Sequence, residues 1–268
     1  MKRGGTLRRA AAIALAAAIG MLVTLGSPSA LATIEPKLQL SSEFPIDLAN
    51  PEASVPEAAK RNARPLEFGY YLQDLIALGA DAMKRGDYGS AAHFYRAFSL
   101  AVPDRSVAFS KLCEALESGG QRQAAEQACR DALGRPGIEL ADYARFVRLL
   151  LAKPGVPAAA DVEDITQIVA HLRESPATRL AGAQLECEYA THVDDLPLLE
   201  RCSRELMTAA PGDPKAVTFG WAAALRKGDR ATATRLIARA QELGIKPEGI
   251  RRMELGGGGG SSPRRRWG

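Results

Sequence analysis

Four cysteines (Cys113, Cys129, Cys187 and Cys202) and three histidines (His93, His171 and His192) are the side chains here best suited to covalent or metal chemistry. No C-x-x-C occurs and the histidines are scattered, so neither a metal nor a cofactor is expected. The remaining chemistry of the cysteines is the disulfide, and four of them allow three pairings. Each histidine has an ordinary reading. His93 opens a helix beside Phe94 and Tyr95, and His171 follows an apolar stretch. His192 lies at a helix end before Asp194 and Asp195, where the helix dipole favours a cation. No H-E-x-x-H, G-x-S-x-G or phosphate-loop pattern is present. The glycine run over 256–260 lacks the lysine, strand or helix that phosphate binding needs. Carboxylate neighbours such as Glu163 and Asp164 read as solvated helix residues. The sequence offers no catalytic constellation, and the chain reads as a binding protein rather than an enzyme.

The compartment comes from the N-terminus. Lys2, Arg3, Arg8 and Arg9 precede an apolar run from Ala10 to Leu25, which ends in Gly26-Ser27-Pro28-Ser29-Ala30-Leu31-Ala32. A basic region, an apolar core and a small-x-small site make a secretory signal, with cleavage expected before Thr33. The alternative is a retained membrane anchor, for which the run is short. No cysteine follows the core, which argues against a lipid anchor. The chain has 35 Lys and Arg against 31 Asp and Glu. The excess of four equals the four signal cations, so the mature chain is neutral and carries no electrostatic footprint for nucleic acid. The localisation read from this is periplasmic or secreted, with membrane contact only if the first segment is retained. The oligomeric state is left open.

The elements that would position the cysteines follow from spacing. Apolar residues make up 46% and aromatics 6%, mostly Ala and Leu, which leaves strands little to be made from. Turn signals recur at Gly86-Asp87-Tyr88, Gly120-Gln121-Arg122, Pro154-Gly155-Val156, Asp194-Asp195-Leu196 and Gly228-Asp229-Arg230. Three of the four intervals are 34 residues and the third is 40. Helical spacing flanks each turn: Leu75, Leu78, Gly79 and Ala82 before the first, and Ala91, Tyr95 and Phe98 after it. Pro103, Pro136, Pro211 and Pro247 close units, since proline stops a helix just past its end.

On these residues the chain resembles the tetratricopeptide repeat (TPR) family, whose unit is two antiparallel helices in 34 residues. Leu78-Gly79, Gly86-Asp87-Tyr88, Ala91, Tyr95 and Pro103 match best. Leu112, Leu116, Ala125, Ala132 and Pro136 follow. The last unit has Trp221, Ala224, Gly228-Asp229, Ala233, Ala240 and Pro247. Two departures are an insertion around 154–161 and Leu199 where a small residue is usual. The resemblance implies an all-α, right-handed α-solenoid of about five helix hairpins, with Gly79 at a close crossing of two helices. It also implies a protein or peptide partner on the concave face, lined by the first helix of each pair. By position that face includes Ile76, Ala80, Met83 and Lys84, then Ser110, Glu114 and Glu117, and last Thr218, Ala222, Leu225 and Arg226. An irregular helical bundle is the runner-up fold.

The hairpins also order the cysteines. Cys113 and Cys129 are equidistant from Gln121 in the turn that opens at Gly120, and Cys187 and Cys202 from the Asp194–Asp195 junction. Residues equidistant from a turn are level in an antiparallel pair, so these are the pairs expected to bond in an exported chain. The alternative is four buried thiols. The organisation is then a signal peptide over 1–32, a Pro-rich extended linker over 33–68, the repeat domain over 69–250 and a flexible Gly-rich tail over 251–268. The linker either holds the array away from a membrane or folds along the first repeat. The functional expectation is an interaction scaffold in the cell envelope. Its alternatives are an anchored envelope assembly factor and, further off, an enzyme accessory subunit.

Overall fold

The structure is a computed structural model that describes residues 40–55 and 64–258, with side chains through residue 254. The signal segment over 1–32, residues 33–39 and 56–63 of the linker and residues 259–268 of the tail lie outside the described residues. Among those described, eleven α-helices and one short 3-10 turn (Pro51–Ser54) occur, and no strand. The helices are α1 (Pro65–Lys84), α2 (Tyr88–Ala101), α3 (Ser106–Ser118), α4 (Arg122–Leu133), α5 (Leu140–Leu151) and α6 (Ala159–Glu174). They continue with α7 (Arg179–Val193), α8 (Leu196–Ala209), α9 (Pro214–Lys227), α10 (Arg230–Glu242) and α11 (Pro247–Gly258).

The five turns divide the helices into successive pairs, and one local device recurs at them. Asp87, Asp195 and Asp229 each cap the second helix of a pair, accepting the backbone N–H of Ser90, Leu198 and Thr232. The residue before each cap is left-handed: Gly86, Asp194 and Gly228 have φ of 75°, 61° and 81°. Glycine takes that conformation at no steric cost, whereas Asp194 holds it as a non-glycine residue.

Packing follows chain order. The pairs α1–α2, α3–α4, α7–α8 and α9–α10 are close antiparallel hairpins. Contact between α5 and α6 is slight, because the longer connection over 152–158, with Pro154 and Pro157, separates them. First helices of successive pairs also touch: α5 meets α7, α7 meets α9, and α9 meets α11. The core is therefore handed from hairpin to hairpin. It runs from Tyr71, Leu75 and Phe98 through Leu116, Phe146 and Ile165 to Leu199 and Leu206, and ends at Trp221 and Met253. This is the α-solenoid of TPR-like hairpins, in which no single pair could bury its own apolar face.

Both ends of the stack are covered. The described part of the Pro-rich segment, residues 40–55, lies along the first hairpin. Ser41 and Ser42 donate their N–H groups to the buried Asp74 carboxylate at 2.9 and 2.7 Å. Glu67 accepts from the Ser42 hydroxyl at 3.0 Å and from the Glu43 N–H. Phe44 stands edge-on to Tyr71, with ring centroids 6.1 Å apart. Phe44, Ile46 and Val55 pack on the apolar residues of α1 and α2, and among the described residues no repeat precedes this hairpin. At the other end, Pro247 is the first residue of α11 rather than a terminator. Its fixed φ suits that position. Ile250 and Met253 are buried against α9 and α10, so helix continues past residue 250 into the segment expected as tail.

Candidate functional site

Cys113 of α3 and Cys129 of α4 are bonded, with sulfurs 1.98 Å and Cα atoms 5.2 Å apart. Cys187 of α7 and Cys202 of α8 are bonded likewise, at 2.02 and 5.7 Å. All four are buried. Each bridge joins the two helices of one hairpin at the level its turn dictates. Disulfides of this kind fit an oxidising compartment. Among the described residues, no helix is long and apolar enough to cross a membrane.

The residues expected to line the partner face divide into three groups. Ile76 and Met83 are half-buried and spend much of their surface on the core. Lys84 and Thr218 are exposed, and the Thr218 hydroxyl donates to the Pro214 carbonyl at 2.8 Å. Glu114, Glu117 and Arg226 are held by charges on a neighbouring hairpin. Glu114 and Glu117 converge on Arg145 of α5 at 3.8 and 3.1 Å, with Lys111 3.4 Å from Glu114. Arg226 of α9 donates to Asp194 at 2.8 Å and to the Thr191 carbonyl at 3.2 Å.

Between these stands a pair the sequence reading missed. Arg148 of α5 donates two parallel hydrogen bonds of 2.9 Å to the Glu188 carboxylate of α7. The bonds to Glu188 raise the guanidinium pKa. Polar contacts thus link α3 to α5, α5 to α7, and α7 to α9 along the layer of first helices. Opposite charges about one repeat apart were the available signal: Glu117 and Arg145, Arg148 and Glu188, Asp194 and Arg226.

The second helices carry their own links. Arg130 of α4 reaches Asp164 of α6 at 2.7 Å. Arg173 of α6 reaches Glu205 of α8 and also, at 2.5 Å, the buried Glu186 of the first helix α7 between them. Arg201 completes the Glu186 site at 2.8 Å. Burial opposes ionisation of Glu205, but Arg179 and Arg173 outweigh it and hold the carboxyl below its usual range.

The histidines do not converge. His93 lies 3.1 Å from Glu52 of the 3-10 turn. His171 stacks obliquely near Tyr143, with centroids 5.5 Å apart, and His192 is exposed. Among the described residues, no three His, Cys, Asp or Glu side chains gather as metal ligands.

No protein-family profile matches the chain, and no curated protein matches it. Among solved structures it is similar to one described as the crystal structure of YrrB, a TPR protein with an unusual peptide-binding site. That similarity spans 74% of this chain and 98% of the other at 10% sequence identity, with a TM-score of 0.49.

Proposed function

We propose that this chain is an exported interaction scaffold of the cell envelope, which holds a protein or peptide partner along the layer of its first helices. The observation that supports this most is the continuity of that layer. From α5 to α11 the first helices touch one another, and charge pairs tie α3, α5, α7 and α9 in register. Such a surface is pre-ordered, so a partner docking on it loses little free energy to rearrangement. The residues proposed to meet the partner are Ile76, Met83, Lys84, Glu114, Glu117, Thr218 and Arg226, with Arg145 and Arg148 between them. The signal segment, cleaved before Thr33, delivers the chain to an oxidising compartment. Retention of that segment would make the same scaffold a membrane-anchored assembly factor.

The test is site-specific photo-crosslinking in cells. A crosslinker at Lys84 and one at Thr218 should each capture the same partner. One at Gln127, exposed on second helix α4, should not. Capture at Gln127 alone, or no partner common to the first two sites, would defeat the assignment of the face.

A further inference from the structure

A second surface lies on the side of α9 opposite Thr218, Ala222, Leu225 and Arg226. Helices α8, α9 and α10 line an open groove of about 510 Å³, within the size range of ligand pockets. Its floor is apolar, formed by Met207 and Leu236 with Gly220 between them. Its rim is cationic, with Arg204, Arg235 and Arg239 around it. Part of this rim is neutralised within the chain: Arg239 pairs with Glu242 at 2.8 Å, and the Asp229 carboxylate attracts Arg235. Glu200 is 3.0 Å from Lys227, and Asp229 caps α10 through the Thr232 N–H. Among the described residues, no carboxylate lies within ion-pair distance of Arg204 or Arg235, although Arg235 donates to the Thr232 hydroxyl at 2.8 Å.

The wider sequence is polarised the same way. Residues 196–258 hold eleven Lys or Arg against seven Asp or Glu, while residues 40–195 hold sixteen against twenty-three. The balance of charges over residues 33–268 thus conceals a cationic end, and the groove lies within it.

From this apolar floor under a cationic rim we infer that the α8–α10 groove binds an acidic, extended segment of a partner protein, with an aliphatic side chain seated over Gly220. A nucleic acid would also meet the charge, but no aromatic ring lines the groove to stack a base. The inference rests on the reading of the chain as an interaction scaffold, and it concerns a face that reading does not use.

The test is fluorescence anisotropy on the full chain with both disulfides formed. The probe is a labelled peptide of glutamates flanking one leucine, beside its glutamine counterpart and a single-stranded oligonucleotide of equal charge. The glutamate peptide should bind in preference to both. Reversing the rim with Arg204→Glu and Arg235→Glu together should weaken it by roughly tenfold or more. Gly220→Leu changes no charge and favours helix. The first atom of its side chain meets Met207 and Leu236 at 3.4 and 3.5 Å, ordinary contact distances. Gly220→Leu should therefore fill the floor and weaken binding while the circular dichroism melt stays at or above that of the parent. Arg85→Glu with Arg105→Glu, a charge reversal of the same size at exposed cations of the first two hairpins, should leave the affinity unchanged. Undiminished binding by Gly220→Leu, or preference for the oligonucleotide, would overturn the inference. So would absence of peptide binding in a chain that still crosslinks its partner through Lys84 and Thr218, and the scaffold reading would then stand without it. Peptide binding without any crosslinked partner would instead defeat the first-helix assignment alone.

Discussion

Gly79 of α1 lies against the ring of Tyr95 in α2: a Cβ at Gly79 would sit 2.5 Å from Tyr95 Cε1 and 2.7 Å from Cζ. Tyr95 is itself 2% exposed, so the ring has no free side to move toward. This contact sets how closely the first hairpin packs. In an open helix, Gly→Ala gains about 1 kcal/mol. Here Gly79→Ala should lose stability, and Gly79→Leu should cost about 1–3 kcal/mol by overpacking. Tyr95→Leu in the same chain should recover much of the loss. Urea denaturation of the four chains measures this, and an unchanged midpoint for Gly79→Leu would place the crossing elsewhere.

The same burial predicts a response to alkali. Burial, with a smaller contribution from the Glu114 carboxylate, pushes the Tyr95 phenol from 10.0 up to about 12. The fold therefore favours the neutral phenol. Its stabilising effect is complete below pH 10 and is lost as pH rises from 10 toward 12. Tyr95→Phe has no phenol to ionise, so its stability should fall less steeply over that window. Parallel curves for the two proteins would contradict the assignment.

The charge links between hairpins differ in burial, and the difference can be measured. Glu186 is buried and accepts from Arg173 and Arg201. Arg173→Met would leave Glu186 and Glu205 short of a partner and should cost about 1–3 kcal/mol. Arg148 is half exposed, so Arg148→Met should cost less than about 1 kcal/mol despite its two-bond pairing with Glu188. Thermal melts of the two variants compare them directly, and a larger loss for Arg148→Met would reverse the ranking.

Asp74 holds the described part of the N-terminal segment to the stack through the N–H groups of Ser41 and Ser42. Asp74→Ala removes both acceptors. Hydrogen exchange should then quicken over residues 40–55, with α7 to α10 unchanged. Exchange that stays slow over 40–55 would mean that Phe44, Ile46 and Val55 hold the segment without the carboxylate.

The parts of this architecture readable from sequence are those set locally and repeatedly. Gly86-Asp87, Asp194-Asp195 and Gly228-Asp229 each combine a left-handed residue with a cap, and they mark the turns even where the helix sequences have diverged. The small residue Gly79 and the ring of Tyr95 matched a pattern because their contact recurs within a single unit. What escaped the sequence lies between units. The Arg148–Glu188 pair spans 40 residues, across the one irregular interval. Ile250 and Met253 escaped because Pro247 marks a helix start as readily as an end. The attachment of residues 40–55 depends on Asp74, a carboxylate on the otherwise apolar inner face of α1, and no local rule identifies its partners. Ile76 and Met83 were assigned to a partner face by position, but position alone does not show how far the core claims a side chain.

The stacked-hairpin account is tested most directly by non-reducing peptide mapping of the chain recovered from the cell envelope. The account predicts two linked peptides, Cys113 with Cys129 and Cys187 with Cys202, each closing one hairpin. Each bridge should contribute about 3 kcal/mol, so reduction should lower the melting temperature while the helical circular dichroism spectrum is kept. Four free thiols would contradict the oxidising compartment but leave the repeats in place. A link between Cys113 and Cys187, or between Cys129 and Cys202, would join hairpins that the stack keeps apart, and would contradict the architecture itself.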